Sequence, residues 1–241
     1  MSTSLRRTRQ LLIAAKCFAD AEATLPLILP LLKLMPARLA GILAEERITE
    51  LAVTADQQIV STRGRRLEIP SQLETLGLSK SDARAFERTL AETAAAQSTE
   101  WRFKTEPGDL ISSVCASVSD EDLVLLGHRP LLRQRGRVLL LRSRSATKDR
   151  AQEMASKLAQ ALRTVVSEVP PEEGEVSQDI LARVDRSHAS LVVADFRAGP
   201  LKTREELRRL LDAARCPVAV LGVAEIRRRN RSPAQKTAKK G

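Results

Sequence analysis

At 241 residues the chain can bury a sizeable core, and it could hold one large or two small domains. It is 43% hydrophobic and 29% charged, as soluble globular proteins are; with 2% aromatic residues and no Tyr, stacking on aromatic platforms is excluded as a major mode of binding. The formal net charge of +10 sits at the ends: Arg6, Arg7 and Arg9 supply +3, residues 225–241 supply +6, and residues 11–224 carry only +1. Cys17, Cys115 and Cys216 form no CxxC and no metal spacing, which fits reduced thiols in a cytosol. No signal peptide is visible. Leu25 to Met35 is apolar, but it is short and interrupted by Pro26, Pro30 and Lys33, so it cannot span a bilayer.

In chain order, Gln10 to Ala15 reads as a buried strand and Asp20 to Leu34 as a helix with Leu25, Ile28, Leu29 and Leu32 on its inner face. Leu39 to Ala44 is a second strand. Residues 45–69 form a long insertion whose Arg63-Gly64-Arg65-Arg66 reads as a solvated turn. Ser79 with Asp82 predicts a capped helix running to Gln97, with Phe86, Leu90 and Ala94 inward. Trp101 to Thr105 alternates apolar with basic, the pattern of a half-exposed edge strand. Pro107-Gly108 turns the chain, Asp109 caps a helix from Leu110 to Val118, and Leu123 to Leu126 is a strand closed by Gly127.

At Val138 the pattern restarts. Val138 to Leu141 is a strand, Lys148 to Leu162 a helix, Thr164 to Val166 a strand and Val176 to Arg186 a helix. Leu191 to Ala194 then opens a strand, helix, strand unit. Thr203 and Glu206 make a capping box for a helix to Arg215, Pro217 stops it, and Val218 to Leu221 is the second strand, short apolar runs of this kind being typical of parallel sheets. The second half thus repeats the first in compressed form. It lacks the insertion and the edge strand, while the first half lacks a final helix and strand. The predicted organisation is α/β: two tandem doubly wound parallel-sheet units at 10–136 and 137–223, and a basic disordered tail at 224–241.

The order of elements, PARLAGILAEE after the first helix, EPGDLISSV before DLVLLG, and the ending CPVAVLGV together resemble the universal stress protein family, and more closely its tandem, divergent bacterial members. The resemblance spans residues 10–223. It implies an adenine-nucleotide α-hydrolase-like, Rossmann-like fold, a cytoplasmic protein and pairing into dimers, here within one chain. Nucleotide-binding members carry an Asp at the end of the first strand and a G-x2-G-x9-G-[ST] loop after the fourth, because glycines let backbone N–H groups close on phosphates. Here the Asp position is Lys16 in one half and Arg142 in the other. After Gly127 the next required glycine is Pro130 and the third is Leu140; in the second half Asp195 replaces the first glycine. The family's ATP binding therefore does not carry over, and no cofactor is expected.

Lys16, Gly127, His128, Arg129 and Arg142 lie at predicted carboxyl ends of strands, where open α/β sheets bind ligands, so they are the candidate anion-binding residues; solvated strand ends are the plainer reading. His188 reads as a surface or half-buried histidine and Cys216 as a small core residue. No G-x-S-x-G elbow, metal spacing or catalytic constellation is present, so no enzyme is expected. The leading reading is a non-catalytic stress-response accessory that binds a partner protein or its own copy. A second is a sensor of a nucleotide or other phosphorylated metabolite held by Lys16 and Arg142. A third is association with nucleic acid through the basic residues 227–240, which on the plainer reading only solubilise the chain.

Overall fold

The computed structural model describes residues 9–45, 59–60, 66–67, 72–129, 136–142, 150–172 and 174–231. The first half comprises β1 (Gln10–Ala15), α1 (Phe18–Glu22), α2 (Leu25–Leu34), β2 (Arg38–Glu45), the short pair β3 (Ile59–Val60) and β4 (Arg66–Leu67), α3 (Gln72–Ala96), β5 (Trp101–Pro107), α4 (Leu110–Ser117) and β6 (Leu123–Leu126). The second half comprises β7 (Arg137–Leu141), α5 (Arg150–Ala161), β8 (Val166–Val169), α6 (Ser177–Asp185), β9 (Ala189–Asp195), α7 (Arg204–Ala214), β10 (Val218–Leu221) and α8 (Val223–Arg231).

Eight of these strands form one sheet in the order β5-β2-β1-β6-β10-β9-β7-β8. Period-two alternation explains its two covered faces. Leu12 and Ala14 of β1 join Val124 of β6 and Val220 of β10 under α4, α6, α7 and α8. Leu11 and Ile13 turn the other way, with Leu125 and Ala219, under α1, α2, α3 and α5. Each side is a continuous apolar layer that crosses from one half to the other.

In this eight-stranded sheet the pairings within each half are parallel, but β6 and β10 run antiparallel, Leu126 opposite Val218 and Leu123 opposite Leu221; the separate β3 and β4 pair is antiparallel too. The expectation of two parallel sheets is corrected here to one mostly parallel sheet. The physical reason lies in the first half's missing last strand. An uncovered β6 would present an unpaired edge, and β10, apolar on both faces, covers it.

Other boundaries differ from the sequence reading. The predicted first helix is broken at Ala23-Thr24 into α1 and α2, and Leu27, Ile28 and Leu31 are the buried side chains of α2, while Leu29 is 39% exposed. The third helix begins at Gln72, not at Ser79; the Ser79 hydroxyl donates instead to Glu45, and Asp82 accepts the Phe18 N–H at 3.1 Å, capping α1 from another helix. The strand expected at Thr164 to Val166 begins at Val166, and the Thr164 hydroxyl donates to the Gly136 carbonyl. The tail expected to be disordered from residue 224 starts as α8, whose Val223, Ala224 and Ile226 are buried. Residues 232–241, and Arg63 to Arg65 of the predicted turn, lie outside the described residues.

Asp109 shows a predicted cap in place. Its carboxylate accepts the Ser112 N–H at 2.8 Å and meets Arg208 of α7 at 2.9 Å, so one side chain caps α4 and ties it to α7. Burial works against its charge, but Ser112 and Arg208 outweigh it and hold the carboxyl below its ordinary range. A lowered folded value means the stabilisation is complete above the unfolded value of about 4 and is lost as pH falls through the folded one. Asp109→Ala is expected to cost about 1 kcal/mol at neutral pH. Urea midpoints at neutral and acid pH check this: the difference between wild type and Asp109→Ala should shrink on acidification, and a pH-independent difference would refute the assignment.

Candidate functional site

The direction of β10 decides how the candidate residues are grouped. The carboxyl ends of β1, β2 and β6 share one end of the sheet, and those of β7, β9 and β10 share the opposite end. Lys16, Gly127, His128 and Arg129 are brought together at the first end. Arg142 is at the other, so a single site holding both Lys16 and Arg142 is not formed.

At the first end, Lys16 is exposed after β1. Gly127 is buried; its N–H donates to the Ala14 carbonyl at 2.7 Å, and a Cβ there would stand 2.5 Å from the Asp20 carbonyl oxygen of α1. This close approach is why a glycine closes β6. The Arg129 N–H donates to the Asp20 carboxylate at 2.8 Å, and the His128 Nδ1 lies 3.1 Å from the Arg129 carbonyl.

At the second end, Arg142 pairs with Glu168 of the neighbouring β8 at 2.9 Å, and the same carboxylate accepts from Gln152 of α5. The Asp195 side chain, 8% exposed, accepts the Arg197 N–H at 2.8 Å and the Arg197 guanidinium at 2.8 Å. Lys202 donates to the Arg197 carbonyl at 3.1 Å, and the Gly199 N–H to the Asp195 carbonyl at 2.6 Å. Gly222 adopts φ +72, a conformation suited to glycine, and a Cβ there would meet the Arg197 backbone N at 2.9 Å. The loop 195–202 is closed on itself.

The two ends share one device. Arg129 and Arg197 each lie two residues past the position where the resemblance expects the first loop glycine, and each backbone N–H is taken by an aspartate oxygen at 2.8 Å. An amide that could meet a phosphate oxygen is thereby occupied by the chain's own anion. Sequence reading missed both aspartates as partners. The Asp195-x-Arg197 spacing is that of an Asx-turn and was legible, whereas Asp20 is 109 residues from its partner and gave no signal.

The thiols are not activated. Burial raises Cys17 and Cys115, and it pushes Cys216 up to about 12, the opposite of what a nucleophile needs. His188 is exposed, the first of its two sequence readings. Among the described residues no group of His, Cys, Asp and Glu could hold a metal ion, and no helix is long and apolar enough to cross a membrane.

No family model matches the chain, and no curated protein does. Among solved structures it is similar to a functionally unknown protein of Pseudomonas aeruginosa PAO1, at 12% identity and a TM-score of 0.41, with 98% of this chain and 100% of that one covered. It is also similar to the cytoplasmic domain of a prokaryotic cation chloride cotransporter, at 12% identity and a TM-score of 0.37, with 90% and 97% covered. A third similar structure is a universal stress protein of Archaeoglobus fulgidus DSM 4304, at 10% identity and a TM-score of 0.42, with 88% of this chain and 95% of that one covered.

Proposed function

We propose that this chain is a non-catalytic, universal-stress-like protein of the cytoplasm that has given up nucleotide binding and acts as a stress-response accessory by binding a partner. Its two halves are tandem, divergent repeats joined by the β6 and β10 pairing into an intramolecular pair, so the contact that would otherwise need a second copy is made within one chain. The observation that carries the reading is the pair of closed loops: the Arg129 and Arg197 amides are held by Asp20 and Asp195. Any phosphate entering either loop would have to displace a carboxylate already bonded there, and like charges repel. The raised thiols agree with an inert site.

The sensor reading draws no support from geometry, since Lys16 and Arg142 lie at opposite ends of the sheet and Arg142 already has Glu168. Calorimetric titration with ATP and ADP, with and without magnesium, is expected to give no heat of binding. Native mass spectrometry of protein isolated gently from its own cytosol is expected to show the chain alone or with a second macromolecule. A stoichiometric added mass matching a nucleotide, lost in a Lys16→Glu or an Arg142→Glu variant, would overturn the proposal.

A further inference from the structure

The antiparallel β6 and β10 pairing brings the amino end of β1 and the carboxyl end of β10 to the same end of the sheet. Arg9 therefore stands beside the elements that lead into α8. Sequence positions that are far apart become one surface there. Arg9 and Arg150 both pair with Glu121, at 3.2 and 3.3 Å. The Arg197 charge also bears on Glu121, and Arg197 is held by Asp195. Next along the surface, burial and then the Arg229 charge pull Lys202 below its ordinary range, so these two cations crowd each other. Arg229 and Arg228 share Glu225, and Arg228 reaches Asp120. Six cations stand here among five carboxylates, Glu206 beside Lys202 being the fifth, and Arg227 adds a further half-exposed guanidinium.

These cations are placed, not trailing. Val223, Ala224 and Ile226 are buried, which fixes α8 on the body and sets the directions of its arginines.

We infer that this end of the sheet, built on α8 with Lys202, Arg150 and Arg9, is a docking surface for the phosphate backbone of nucleic acid. The inference names a class of partner and rests on the layout of charge, not on the closed loops. A row of fixed guanidiniums suits successive phosphates, and binding of this kind releases counterions. Bases are not read mainly by stacking, because the chain has no Tyr and one Trp. An anionic membrane is the poorer fit. Surface helices that bind lipid insert an apolar face beside their cations, and α8 has its apolar face buried in the protein.

The test uses the full chain with duplex DNA and duplex RNA of mixed sequence as separate arms, binding being followed by fluorescence anisotropy over a series of salt concentrations. Arg227→Gln, Arg229→Gln and Lys202→Gln are combined in one variant. The control combines Lys80→Gln, Arg84→Gln and Arg88→Gln, which removes the same charge from the exposed outer face of α3. Binding by wild type to at least one duplex is expected, with at least a tenfold loss in the α8 variant and a salt slope reduced by about 1 for each phosphate contact removed. The control should keep both within about twofold at equal salt. Thermal melts show that both variants remain folded. Equal losses in the two variants, no binding to either duplex, or binding to phosphatidylserine vesicles in place of duplex would each overturn the inference.

Discussion

Leu140→Ala in β7 is expected to lower the stability of the entire chain by about 2–5 kcal/mol and to do so in a single transition. Leu140 is fully buried and belongs to the apolar layer that also contains Leu11 and Ile13 of β1, Leu27 of α2 and Phe86 of α3, all from the other half. The cavity it leaves opens into that shared layer. Trp101, the chain's single tryptophan, sits on β5 at the opposite edge of the sheet and reports on the first half. If the halves unfold as one, Trp101 fluorescence and far-ultraviolet circular dichroism move together to a lower denaturant midpoint. A Trp101 transition left at its wild-type midpoint, with only part of the dichroism shifted, would show two independent units and refute the continuous core.

Much of this fold was legible because its strands are buried on both faces. Leu123 to Leu126 and Val218 to Leu221 are apolar runs too short for helices, and they are strands. Asp109 and the Thr203 to Glu206 box were legible because a cap is a local contact. The direction of β10 was not legible. An apolar run looks the same whichever way its neighbour points, and the antiparallel pairing with β6 exists only in the assembled sheet. That one direction separated Lys16 from Arg142, so the candidate site failed as a unit for a topological reason. The inner face of α2 was misread for another reason: in LPLILPLLKL nearly every position is apolar, so composition cannot choose Leu27 and Leu31 over Leu25 and Leu29. In α8 the signal was present, since Val223, Ala224 and Ile226 share one side of a helix, but the arginine run that follows outweighed it.

Gly127→Ala is expected to cost about 1–3 kcal/mol although it adds a single methyl group. The new Cβ would lie 2.5 Å from the Asp20 carbonyl oxygen, 2.8 Å from its carbon and 3.1 Å from the Ala21 nitrogen, all backbone atoms of α1. Gly127 cannot retreat without stretching its 2.7 Å hydrogen bond to Ala14, and α1 is fastened from the far side by Asp82. Something in that ring has to give. Gly41→Ala supplies the contrast, because its Cβ would meet Phe103 and Leu90 side chains at 2.9 and 3.0 Å, and side chains rotate at lower cost than a helix moves. Asp20→Ala supplies another: it removes the carboxylate that holds the Arg129 N–H without displacing α1, for about 1 kcal/mol. Urea unfolding of the three variants should rank Gly127→Ala as the most destabilised. If Gly127→Ala instead matches wild type, α1 does not press on the end of β6, and the closed loop at that end loses its structural basis.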